Sequence, residues 1–212
     1  MSFKAWLTVP VAFGAIAVAS ASGAATPCPT ALPPGVACGA PDPAGAPAGT
    51  YAVDPNHASI VARVSHIGYS YSTFRFGKVT ASLVWDPASP EQSKLTASVD
   101  TASIGTPVPG FPAELAGEKY LNSAKFPQAT FVSTAFHRVD ATHGKVDGQF
   151  TLLGVTKPMT FDVTLVGAGK GFGAPRVGVE ASSSLDPQAF GMSPFFVAPI
   201  ELVIDAEFQK AP

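Results

Sequence analysis

The side chains able to move a proton near neutral pH are four histidines, His57, His66, His137 and His143. No two of them stand in the H-x-x-x-H or H-E-x-x-H spacing that would hold a metal. Cys28 and Cys38 lie far from all four in sequence, so no Cys/His ligand set forms. The chain also has no G-x-S-x-G elbow, no glycine-rich phosphate loop and no pair of carboxylates arranged for glycoside hydrolysis. An enzyme built from these residues would use His66 or His57 as general base toward a bound lipid, as an isomerase or hydrolase would. His66 shares an alternating pattern with Ile60, Ala62 and Val64. It is either a core histidine bonded to backbone or a polar handle on the wall of an apolar cavity.

Aromatic residues give a second signal. Tyr69, Tyr71, Phe74, Phe76 and Trp85 gather in one hairpin region, and Phe190, Phe195 and Phe196 crowd a Gly/Pro-rich loop. Large rings in a loop that should meet water point to a covered apolar space.

The elements that would position these residues are strands. Ile200, Leu202, Ile204, Ala206 and Phe208 alternate with polar neighbours. So do Met159, Phe161, Val163 and Leu165, and likewise Val79, Ala81, Leu83 and Trp85. A period of two puts each set on one face of a strand. The pattern predicts short strands at 51–54 and 60–66, then a long one over 72–85 that bends at Gly77. Further strands are expected around 95–99, 131–139, 145–153, 157–166, 177–181 and 200–208. The single helical candidate runs from Ala113 to Leu121, opened by Pro112, and is expected to cover an end of the sheet structure. Short turns between successive strands imply antiparallel neighbours. Seven or eight such strands make an all-β fold, a closed barrel or a two-layer stack, and a barrel of about eight strands can enclose one small ligand.

Outside this region the composition changes. Lys4 followed by an apolar run from Ala5 to Ala19 and by Ala19-Ser20-Ala21 reads as a signal peptide over residues 1–21, with cleavage after Ala24 as the near alternative. Residues 22–50, rich in Ala, Pro and Gly, read as a flexible linker carrying both cysteines, which a local disulfide would join in an oxidising compartment. Residues 51–212 form one domain, exported to the periplasm or secreted. Basic and acidic residues number 13 and 15, without a basic cluster, which argues against nucleic-acid binding. Only 13% of residues are charged, which suits a chain that hides apolar surface in a core or around a ligand.

Several motifs resemble the YceI family. They are Asp54-Pro-Asn-His57, His66-x-Gly68, Ser103-Ile104-x-Thr106, Lys125-Phe126-Pro127-x-x-x-Phe131-x-Ser133, Gly154-Val155-Thr156-Lys157-Pro158 and Phe190-Gly191-Met192, in that order. The resemblance spans about Tyr51 to Lys210. Ala58 and Ala62 stand where the family more often has Ser and Phe, and Pro187 and Ala189 where Arg and Asp are usual. The resemblance implies an exported, lipocalin-like, antiparallel eight-stranded barrel with one short helix, whose apolar interior holds a long isoprenoid chain.

Together these readings give a carrier rather than an enzyme, with no cofactor other than a polyprenyl chain or isoprenoid quinone held as ligand. The expected lining is Ile60, Val64, Leu83, Val99, Phe131, Phe150, Phe161, Val163, Leu202 and Ile204. His66 and Tyr69 are expected to orient the ligand, and Phe190, Phe195 and Phe196 to close one end as gate or plug. Transient membrane contact and a homodimer are compatible with this reading; stable insertion is not expected. A structural barrel with a filled interior is the remaining rival.

Overall fold

The computed structural model describes residues 28–196 and 198–211. The expected signal peptide lies outside them. Ten strands form one antiparallel sheet: β1 (Gly49–His66), β2 (Ser70–Phe76), β3 (Val79–Trp85), β4 (Lys94–Asp100), β5 (Ile104–Gly105), β6 (Gln128–Arg138), β7 (His143–Leu152), β8 (Val155–Gly169), β9 (Arg176–Leu185) and β10 (Ile200–Lys210). Pairing of β1 with β10, from Tyr51↔Lys210 to Arg63↔Glu201, closes the sheet. Closure leaves no exposed edge around the ring.

The ten strands occupy eight barrel positions. β3 pairs with the first part of β1 and β2 with its last part, so β2 and β3 are one position broken at Gly77-Lys78. β4 and β5 likewise follow one another beside β3 and β2. The break is held by hydrogen bonds: Gly77 N–H donates to the Ser103 carbonyl and Lys78 N–H to Ser103 Oγ. The bend expected at Gly77 is therefore real. The two short strands expected at 51–54 and 60–66 are instead one strand, β1. A register shift between Val53 and Ala58 absorbs Pro55, which cannot donate to a ladder, without ending the strand.

The α-helix is shorter than expected, Phe111–Ala116, with Pro112 in its first turn. Gly117 ends it, and hydrogen-bonded turns carry the chain on through Leu121. Leu115, Tyr120 and Leu121 are buried, so this segment covers the end of the barrel where β1 turns into β2. Phe190, Met192 and Phe196, from the segment before β10, pack into the same end.

At the opposite end the stretch read as a linker departs from expectation. Ala40 pairs with Ala168 of β8, and Ala46 is fully buried beneath Trp85, whose indole N–H donates to the Ala46 carbonyl. Tyr51 Oη donates to the Pro47 carbonyl. Gly39 and Gly45 allow this docking, because a Cβ at Gly45 would lie 2.6 Å from the Ala168 oxygen. A glycine-rich arm can approach backbone closely enough to order itself where larger residues could not. Cys28 and Cys38 are joined by a disulfide just ahead of this arm.

Candidate functional site

The inward faces of the strands enclose two apolar chambers stacked along the barrel axis. The lower one, about 210 Å³, lies toward the docked arm and is lined by Val53, Ala58, Ala81, Leu83, Trp85, Leu95, Phe136, Val163, Val179 and Phe208, among others. The upper one, about 150 Å³, lies under the helix and is lined by Ala62, Val64, Phe74, Phe76, Val99, Phe150, Leu152, Met192, Phe196 and Leu202. Ile60, Ala97, Phe131, Phe161 and Ile204 border both. At this waist the rings of Phe131 and Phe161 meet edge to face, 5.1 Å between centroids.

Alanines keep the interior hollow. Ala58 faces Ala206 across β1 and β10, and Ala81 faces Ala97 across β3 and β4. All four line the cavity. Leucine or isoleucine at these positions would fill it. Leaving such volume empty forfeits stability at roughly 24 cal/mol per Å³, which is about 4 to 5 kcal/mol for a chamber of either size. A barrel under selection only for stability would not keep that space, so the filled-core rival fails.

The walls offer little to water. Among the described residues, the polar ones lining the upper chamber are Thr101, Thr130 and Tyr120. Thr101 Oγ1 is already committed, donating to the Phe126 carbonyl. A cavity without free polar partners stays dry and accepts an apolar guest. From Phe208 to Ile200, both lining residues on the regular strand β10, eight strand steps at a barrel tilt of about 40° give a depth of about 20 Å.

Charged lining residues gather at the lower mouth. There the β6–β7 hairpin brings His137, Arg138, Asp140, Thr142, His143 and Lys145 to the chamber rim. His137 Nε2 lies 2.7 Å from Asp147, and His143 Nδ1 lies 2.9 Å from Asp140. The Asp140 carboxylate accepts the Thr142 and His143 backbone N–H groups, each at 2.8 Å. These bonds hold its pKa down at about 2. Asp147 is also lowered, first by the Thr160 hydroxyl and then by His137. The mouth is thus a ring of mutually satisfied polar groups around an apolar bore.

Of the fifteen residues expected at the site, eleven line the chambers: Ile60, Val64, Leu83, Val99, Phe131, Phe150, Phe161, Val163, Phe196, Leu202 and Ile204. Phe190 does not line them but is buried behind the upper wall, its ring edge-on to Phe150 at 5.5 Å. Three expectations are overturned. His66 is exposed, and Tyr69 is 89% exposed, because strand β1 outruns the barrel before reaching them. Phe195 is 74% exposed, whereas its neighbour Phe196 turns inward against Tyr120. His57 also lies outside, its Nδ1 2.9 Å from Asp54. Neither candidate general base reaches the interior, so the enzyme reading loses its geometry.

The rim histidines His137 and His143 were legible only as the ends of a hairpin. Asp54, His57 and Glu207 lie close enough together to suggest a metal site. Arg176 occupies that position instead, 2.9 Å from both Asp54 and Glu207. The cluster is an ion-pair clamp across β1, β9 and β10.

The YceI-like domain pattern matches residues 51–208, nearly every strand of the barrel. The chain belongs to the YceI family. A UPF0312 protein of Pseudomonas putida (strain W619) is 36% identical over 148 residues, covering 68% of this chain and 77% of that protein. Among solved structures, BcnA of Burkholderia cenocepacia superposes with a TM-score of 0.67 at 22% identity, covering 73% of this chain and 98% of that one. A polyisoprenoid binding domain from Saccharophagus degradans, implicated in plant cell wall breakdown, superposes at 0.55 with 11% identity, covering 76% and 98%. Both neighbours share the fold. The YceI motifs fall on the scaffold more than on the lining. Asp54-Pro-Asn-His57 forms the clamp, and Phe126 packs over Gly154, where a Cβ would meet its ring at 2.8 Å.

Proposed function

We propose that this YceI barrel is an exported carrier that holds one long, largely apolar molecule, a polyprenyl chain or the tail of an isoprenoid quinone, threaded through both chambers. The observation that carries the reading is the dry, narrow, two-chambered bore, deep enough for an extended chain and hollowed by paired alanines. A linear branched hydrocarbon fits such a bore better than a compact ligand. Each buried methylene is worth about 0.8 kcal/mol before the costs of binding, so affinity needs no directional chemistry. The polyisoprenoid binding named for the S. degradans neighbour supports the ligand class. The Cys28–Cys38 disulfide supports export to an oxidising compartment.

Native mass spectrometry of the purified protein, followed by solvent extraction of the bound material, tests this directly. A mass increment matching a prenyl lipid is expected. A protein isolated empty, which also fails to take up prenyl quinones, would sink the proposal.

A further inference from the structure

The β1–β2 hairpin projects beyond the barrel. β10 pairs with β1 only as far as Arg63, and β5 pairs with β2 only from Arg75. Residues 65–72 therefore pair with nothing but each other and Val64, and their tip stands about 10 Å proud of the rim. Their sequence is Ser-His-Ile-Gly-Tyr-Ser-Tyr-Ser, with no acidic residue.

The tip is both strained and apolar. Tyr69 N–H donates to the His66 carbonyl, closing a turn whose central residues, Ile67 and Gly68, have φ of 54° and 79°. Such a turn favours Asn-Gly, and a β-branched residue in the left-handed region is disfavoured. The β7–β8 turn has the same backbone with Leu153 at the matching place, φ 53°. Leu153 is repaid by packing on the core. Ile67 is not: it is 80% exposed, beside Tyr69 at 89% and a half-exposed Tyr71. Neither backbone preference nor burial in this chain explains an isoleucine there, but burial in something else does.

We infer that this hairpin is a membrane anchor: its tip enters the headgroup region of a lipid bilayer and sets the helix-covered end of the barrel against the surface. An exposed isoleucine flanked by tyrosines suits the boundary between headgroups and acyl chains, where amphipathic rings concentrate. The projection matches the 5–10 Å depth of interfacial insertion. Charge agrees with this occupant. Arg63 and Arg75 stand on the outward face at the hairpin's base, where phosphates would lie. Arg63 stacks 4.6 Å from the Tyr71 ring centre and is ion-paired with Glu201 at 2.6 Å, so the cation left for a phosphate is Arg75, exposed and without an acidic partner among the described residues. The inference rests on the carrier reading only for its purpose; the binding itself requires no ligand.

Cosedimentation with phosphatidylethanolamine–phosphatidylglycerol vesicles free of isoprenoids tests it. The mature protein should bind. Ile67→Asn with Tyr69→Ser should weaken binding at least about tenfold, given the apolar area removed. The same variant should keep its circular dichroism and its quinone uptake from detergent solution, because asparagine tolerates the left-handed turn. A Tyr69→Trp variant should shift to shorter emission wavelength on vesicles and be quenched by brominated acyl chains. Equal vesicle binding by wild type and double variant, or none by wild type, overturns the inference. So does a tip substitution whose sole effect is to abolish self-association in sedimentation equilibrium, because the tip's partner would then be a second copy of the chain. Loss of quinone uptake by wild type with vesicle binding intact would count against the carrier reading alone.

Discussion

Gly148 should not tolerate even a methyl group, because the waist of the bore is built upon it. A Cβ added there would lie 2.4 Å from Phe131 Cζ, 2.6 Å from Cε2 and 2.5 Å from the Val132 carbonyl oxygen. These obstacles differ in kind. The Phe131 ring can rotate toward the bore, at the expense of its contact with Phe161; the carbonyl belongs to the β6–β7 ladder and can shift only with the strand. Overpacking a well-filled site costs about 1–3 kcal/mol, and the backbone clash places Gly148→Ala toward the upper end of that range. For a domain of this size the expected fall in Tm is then roughly 5–10 °C.

The structure also dictates how the cost divides. In a Phe131→Leu background the ring clash is gone and only the carbonyl clash remains. The same alanine should therefore cost less, with a coupling of about 1 kcal/mol between the two positions. Urea titration of the four proteins, read as midpoint shifts at constant slope, measures it. If Gly148→Ala unfolds with the wild type, or costs the same in both backgrounds, the Phe131 ring does not rest on Gly148 and the described waist is wrong.

The loop before β10 should split between its two adjacent phenylalanines: Phe196→Ala, which removes a ring buried against Tyr120, should cost about 3–5 kcal/mol, whereas Phe195→Ala should stay within about 0.5 kcal/mol of wild type in the same titration. The acid limb of stability should depend on Asp54, whose pKa is lowered from 3.8 to about 2 by hydrogen bonds from His57, Arg176 and the Asn56 backbone. Because the folded state holds the lower pKa, this contribution is fully present above about pH 4 and disappears as the pH falls through 2. Asp54→Asn should therefore be less stable at neutral pH and flatter between pH 4 and 2, which unfolding curves measured across that range would check.

The sequence made the staves of the barrel legible and its exits much less so. Alternation with period two is a local property, set by the pleat, so inward residues such as Val64, Phe161 and Ile204 could be picked one by one. Where a strand leaves the barrel is not local. His66 keeps the parity of Ile60 and Val64, but Arg63 is the last residue that β10 pairs; Val64, one step beyond it, still reaches the wall, whereas His66, three steps beyond, stands in water. Phe195 and Phe196 show the same limit in a loop, where no period tells which of two adjacent rings turns inward. The docked arm was hidden for another reason. Low hydrophobicity normally signals a tether, yet Ala46 is buried because small residues let the backbone itself pack, which composition does not reveal.

The waist connects these observations to specificity. A bore of one width would grade guests by length alone, whereas a guest spanning two chambers that meet at Phe131 and Phe161 would also be graded by cross-section at one point. Gly148, inward on β7 between Val146 and Phe150, leaves room for the Phe131 ring to lie against that strand, so the width of that point depends on a residue that adds no side chain of its own. On the proposed carrier reading, a polyprenyl chain, flexible and thin at every unit, should pass such a point, whereas a fused-ring lipid of equal apolar area should have to displace one of the two rings. Area-based affinity would rank the two guests alike. The carrier proposal therefore expects the linear chain to be preferred, by shape at a single pair of side chains rather than by the total surface it buries.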